Sequence, residues 1–341
     1  MYFVKIICIG FILGLFASCK KDKPPIKELE PTPIINKQNP LRYFICNEGN
    51  FGFGNASLSV WKPSEGFFSE DIYQVNNGKT LGDVAQSIQL FNGSLYVVLN
   101  NSGKIVVLDT ATFKEKQSIA GFSSPRFIQF VNASKAYVTD LYANKITVFN
   151  PSTASIIGNI ALNGWTEQMA LKSDTLFVTN MKTGFLYLIN SSTDVIMDSL
   201  FVGVNAGSIV VDKEDAVWIC SSGNTTTKAR LTRIFANKIT YLEFDLGESP
   251  ASLIYSPISN ELYWLNKGVQ KMNASLFNLP KAKILEGSSA NFYGLSCVGA
   301  ELFVCDAKDY LQKGYVYRMN KSGVISDSLK VGIIPNSVIA Y

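Results

Sequence analysis

Polar and aromatic side chains recur in this sequence just after short apolar runs, and they are its most chemically capable groups. One set of such stretches is NEGNFGFGN from Asn47, NNSG from Asn100, DLYANK from Asp140, NMKTG from Asn180, SSGNTTTKAR from Ser221, NKG from Asn266 and DAKDYLQKG from Asp306. A second set, TLGDVAQ, SSPRF, GWTEQ, VNAGS, ESPAS and SANFYG, comes shortly before the next apolar run. Together they offer Asn50, Phe51, Asp83, Arg126, Asp140, Tyr142, Trp165, Glu167, Asn224, Tyr293 and Tyr310 as candidate ligand-binding residues. Aromatic faces beside neutral amides and hydroxyls suit a large, flat, uncharged or weakly charged ligand. Histidine is absent, with 0 in the chain. That excludes a Ser-His-Asp or Cys-His pair, an HExxH zinc site and any imidazole base. Asp83, Asp140, Glu167 and Asp306 could offer oxygen to a hard cation; nothing in their spacing demands one, and neither a metal nor a cofactor is assigned. The polar residues that end the apolar runs also suit turn capping, and Arg126 with Glu167 also reads as a structural ion pair.

What must position these loops is a repeat. A short apolar strand ending in a polar residue recurs as YFICN at 43, LYVVLN at 95, AYVTD at 136, LFVTN at 176, VWICS at 217, LYWLN at 262 and LFVCD at 302. A second apolar segment precedes all but the first copy, and a turn plus two more short strands follow, as in KITVFNPST and GNIALNG. Four short strands per unit of about 42 residues is the signature of a β-propeller blade. Long helices of period 3.6 are missing, which excludes helical solenoids and βαβ folds. A parallel β-helix fits less well, because its coils are shorter. The first blade lacks an innermost strand while the chain ends in PNSVIAY. The fold expected over 41–341 is therefore all-β, a seven-bladed β-propeller closed by the C-terminal strand, with its chemically interesting loops ringing the axis on one face.

Residues 1–18 read as a signal peptide: one lysine, an apolar run from Ile6 to Phe16, then Ala17 and Ser18. Cys19 follows at the cut point and is expected to carry lipid. Residues 19–40 hold five prolines and read as a lipidated linker. Beyond it the body carries 25 basic and 24 acidic residues. So even a balance offers no electrostatic footprint for nucleic acid. Membrane contact is expected through the anchor alone. Cys46, Cys220, Cys297 and Cys305 sit in strand-like runs and are expected to be free thiols.

The absence of histidine removes the WD40 pattern, and the double glycine of kelch repeats is missing. The YVTD and VTN strands followed by ITVFNPST and LYLINSST resemble the YncE-like, surface-layer type of seven-bladed propeller. The strings NEGNFGFGNASLS, LGDVAQS, NNSGKI, SPRF, VTDLYANKI and GWTEQM, over the first four blades, resemble lipid-anchored propellers of Bacteroidetes. Similar proteins of the BtuG type capture cobalamin and other corrinoids at the cell surface and pass them to a TonB-dependent transporter. The resemblance implies a non-catalytic, outer-membrane lipoprotein at the cell surface that binds a corrinoid or another small molecule. The alternatives are a metal-dependent propeller lactonase or lyase, and a protein-interaction module of an outer-membrane complex.

Overall fold

The second strand of each repeat is a nearly unbroken apolar run because both of its faces are covered. In the computed structural model, which describes residues 41–287 and 289–341, Tyr43–Asn47, Ser94–Leu99, Lys135–Asp140, Thr175–Asn180, Val217–Ser221, Glu261–Leu265 and Glu301–Asp306 each hold second place in a four-stranded antiparallel sheet. Side chains alternate along a strand. Tyr43 and Ile45 therefore pack with Phe303 and Cys305 of one neighbouring sheet, while Phe44 and Cys46 pack with Leu95 and Val97 of the other. The same alternation runs round the molecule and gives one apolar cluster at every boundary between adjacent sheets. Each fully buried Leu, Ile, Val or Phe contributes roughly 1.5–3 kcal/mol. Stability is thus spread over seven boundaries and not concentrated in one core.

The innermost strand of each sheet touches the innermost strand of the next, all the way round. Seven sheets in a closed ring make a seven-bladed β-propeller, as the repeat predicts. Closure is also as expected: Pro335–Ala340 lies at the inner edge of the sheet formed by Tyr43–Asn47, Ser57–Lys62 and Phe67–Ser69. Phe44 stands opposite Ile339 and Ile45 opposite Val338, and Arg42 and Tyr341 exchange main-chain hydrogen bonds of 3.1 and 2.9 Å.

The longer first repeat has a cause that spacing alone did not reveal. A short helix, α1 (Ile72–Asn77), follows the outer strand of the first blade, capped by the Asp71 side chain accepting from the Gln74 N–H at 3.1 Å. It buries Ile72 and Tyr73 in the cluster between the first two blades. The segments read as signal peptide, Cys19 and linker lie outside the described residues. Among the described residues no helix is long and apolar enough to cross a membrane. Cys46, Cys220 and Cys305 are buried free thiols, and Cys297 is half-buried and free.

Candidate functional site

Each innermost strand begins with a slip in its pairing. The register breaks between Ala85 and Ser87, Pro125 and Ile128, Thr166 and Met169, Ala206 and Ser208, Ala251 and Ile254, and Phe292 and Gly294, and again where the closing strand passes from Ser337 to Pro335. A bulge leaves a residue out of the ladder and re-aims its side chain. The residues so placed are Gln86, Arg126, Glu167, Gly207, Ser252, Tyr293 and Asn336. All of them line one cavity of about 430 Å³ on the propeller axis.

Within that ring Arg126 and Glu167 pair in bidentate fashion, Nε to Oε2 at 2.8 Å and Nη2 to Oε1 at 2.6 Å. The remaining Nη1 of Arg126 donates to Gln86 Oε1. Asn336 Nδ2 donates to the carbonyls of Ala85 and Gln86 at 2.8 and 3.1 Å, tying the closing strand to the second blade. Glu48 stands beside this wall. Burial raises its pKa above the ordinary carboxyl value, and interactions with Tyr293 and Arg126 only partly oppose that shift. Glu48 Oε2 is buried with no hydrogen-bond partner. Burial, then the Glu48 charge, push the Tyr293 phenol above its ordinary range.

Of the exposed aromatics, Phe51, Phe53, Tyr142, Trp165, Tyr293 and Tyr310 stand on the loop tips around the mouth. Tyr142 and Trp165 meet edge to face at 6.5 Å between ring centroids, and Tyr293 and Tyr310 do so at 5.8 Å. The NEGNFGFGN loop is held on both sides. Asn50 Nδ2 donates to the Tyr310 carbonyl at 2.5 Å, and the Gly52 N–H donates to Asp83 Oδ2 at 2.9 Å. Asp83 Oδ2 also accepts from Asn101 Nδ2 at 2.6 Å. Phe51 and Phe53 project from the loop, 74% and 77% exposed.

The candidates thus fall into separate groups. Arg126, Glu167 and Tyr293 line the axial mouth. Asn50, Phe51, Asp83 and Tyr310 belong to one braced loop cluster, while Tyr142 and Trp165 form a second aromatic station. Asp140 is buried, and its carboxylate accepts the N–H groups of Ser123, Ser124, Tyr142 and Ala143. Asn224 Oδ1 accepts from the N–H groups of Thr226 and Thr227 in an exposed turn. Asp306 accepts from the Asn291 and Lys308 N–H groups and pairs with Lys308 Nζ at 2.8 Å. Among the described residues no three Asp, Glu or Cys side chains gather closely enough to hold a metal. Sequence reasoning passed over Gln86, Gly207, Ser252, Asn336 and Glu48. The signal for most of the ring was present: its members on blades two to seven stand nine or ten positions before YVVLN-type strands begin.

A closed ring of seven four-stranded blades with an axial mouth defines the class, a seven-bladed β-propeller. The chain belongs to the family described as a domain of unknown function, DUF5074, whose model matches residues 42–296. No curated protein matches the sequence. The fold is similar to a quinonprotein alcohol dehydrogenase-like protein from Bacteroides thetaiotaomicron, with TM-score 0.70, 13% identity and coverage of 88% of this chain and 78% of that one. It is also similar to a protein from Bacteroides fragilis provisionally named a 6-phosphogluconolactonase, with TM-score 0.67, 11% identity and coverage of 89% and 99%. Apo AztD from Citrobacter koseri has TM-score 0.58 at 9% identity, over 88% and 97% of the two chains. At these identities the likeness is one of fold.

Proposed function

We propose that this chain is a non-catalytic capture propeller, lipid-anchored through Cys19 in the outer membrane at the cell surface. In this reading it takes up cobalamin or another corrinoid on its loop face for delivery to a TonB-dependent transporter. The observation that carries it is the pairing of exposed aromatic stations, Tyr142 with Trp165 and Tyr293 with Tyr310, around a preformed axial mouth. A rigid ring loses little ordering entropy when a wide ligand spans loops from several blades. Aromatic faces cover an apolar plane, while Gln86, Asn336 and the ring serines suit an amide periphery. The strand Tyr43–Asn47 runs from Arg42, beside Tyr341, toward the loop Glu48–Asn55. Residue 41, where the described residues begin, therefore stands at the end of the ring opposite the mouth.

A metal-dependent lactonase or lyase would need oxygen ligands converging on the axis. Asp140 and Asp306 serve turns and Glu167 pairs with Arg126, which favours the binding reading. The test is a titration of the purified protein with cyanocobalamin. Binding heat, a spectral shift and co-elution are expected; the absence of all three eliminates the corrinoid, and bound metal by elemental analysis would revive the enzyme.

A further inference from the structure

The seven positions around the mouth are unequal. Gln86, Arg126, Glu167, Tyr293 and Asn336 are long side chains, whereas Gly207 and Ser252 are short and lie on successive blades. In ring order this leaves a recess bounded by Glu167 on one side and Tyr293 on the other. A Cβ built on Gly207 would meet nothing nearer than the Asn205 carbonyl oxygen at 4.0 Å. The missing side chain is therefore open space and not a backbone approach that glycine must permit.

The chemistry bounding the recess is restrictive. Arg126 is neutralised by Glu167 at 2.6 Å, so no free cation waits there for an anion. An incoming carboxylate or phosphate would be repelled or left without a counter-charge. The bidentate pair sets a guanidinium beside a carboxylate, and Ser222 and Ser252 add hydroxyls that both donate and accept. A neutral group with a C=O next to an N–H is the complement of such a wall. We propose that the recess over Gly207 and Ser252 is a subsite for a neutral carboxamide, which enters beside Gly207 and hydrogen-bonds along the Arg126–Glu167 edge and the serine hydroxyls. The inference rests on the reading of this face as the ligand-capturing one.

The probes are nicotinamide and nicotinate, alike in shape and different in charge, followed by saturation-transfer NMR on the purified protein. Nicotinamide is expected to receive magnetisation, and nicotinate to bind about tenfold more weakly, the worth of one charge-mismatched contact. Gly207→Phe, which fills the recess, should abolish the nicotinamide signal while Gly207→Ala keeps it. If Gly207→Phe does not fold, Ser222→Phe narrows the same space from another wall. Equal signals from the two probes, no nicotinamide signal from the unaltered protein, or a signal unchanged in a folded recess-filling variant would overturn the subsite. Cyanocobalamin titrated in parallel separates the two ideas. Corrinoid binding without a nicotinamide signal removes the subsite alone, and a nicotinamide signal without corrinoid binding removes the corrinoid alone.

Discussion

Removing either half of the Arg126–Glu167 pair strands a buried charge in the channel mouth, because their side chains are only 19% and 9% exposed. Breaking such a pair from one side costs about 3–5 kcal/mol, whereas exchanging both partners for apolar groups of similar size is often close to neutral. Glu167→Leu alone should therefore lower the urea midpoint strongly, and Arg126→Met with Glu167→Leu should restore most of it. If the double variant is as unstable as the single one, the pair is not the unit of stability inferred here. Glu48 gives a signed pH dependence. Its folded pKa is raised above the ordinary 4.5, so its support is complete below that value and is lost as pH rises through the folded pKa. Glu48→Gln escapes that loss, and its stability relative to wild type should improve as pH climbs from about 4.5, read from paired urea melts. Parallel profiles would contradict it. The buried thiols make a third case. Burial pushes the Cys220 thiol up to about 12 and raises Cys46 and Cys305 as well. Thiolate is the reactive form, so iodoacetamide at pH 8 should leave these three unmodified until the protein is unfolded.

At the scale of the element, the closing strand decides whether the ring is a ring. Deleting 335–341 strips the inner edge of the first blade, exposes the Tyr43–Asn47 backbone and opens the cluster that holds Val338. Exposed edges pair with other chains. The truncated protein should therefore lose its sharp thermal transition and self-associate in size-exclusion chromatography, and the peptide PNSVIAY added in trans should reverse part of both effects. Gly294 offers a subtler version, since a Cβ there would stand 1.9 Å from the Asn336 carbonyl oxygen in the closing strand. Gly294→Ala should cost about 1–3 kcal/mol or more by prying the two innermost strands apart. These elements differ in how plainly the sequence declares them. The second strands are legible because burial on both faces writes them as unbroken apolar runs. The ring residues are legible only through their fixed spacing before those strands, because each sits in a bulge, where the period of two that would assign it a face is broken. Arg126, Glu167 and Tyr293 drew notice through charge or size beside a loop. Gly207 and Ser252 offered neither, although their smallness is what opens the recess, and α1 left only an over-long repeat as its trace.

At the scale of the whole molecule, charge balance and strand direction set the terms of any capture. The body carries 25 basic and 24 acidic residues, and the two charged residues lining the mouth, Arg126 and Glu167, are paired with each other. Long-range steering needs an unbalanced field, and it weakens as salt shortens the Debye length from about 10 Å at 0.1 M to about 3 Å at 1 M. Binding that relies instead on aromatic faces and neutral hydrogen bonds has nothing for salt to screen. The affinity for cyanocobalamin should then change by less than about twofold between 50 and 500 mM NaCl, while DNA should show no binding at any salt. A steep fall in affinity over that range would mean that phosphate or carboxylate contacts drive capture. The mouth would in that case have to recruit cations from outside the described cluster, and the neutral-ligand reading of the loop face would fail with it.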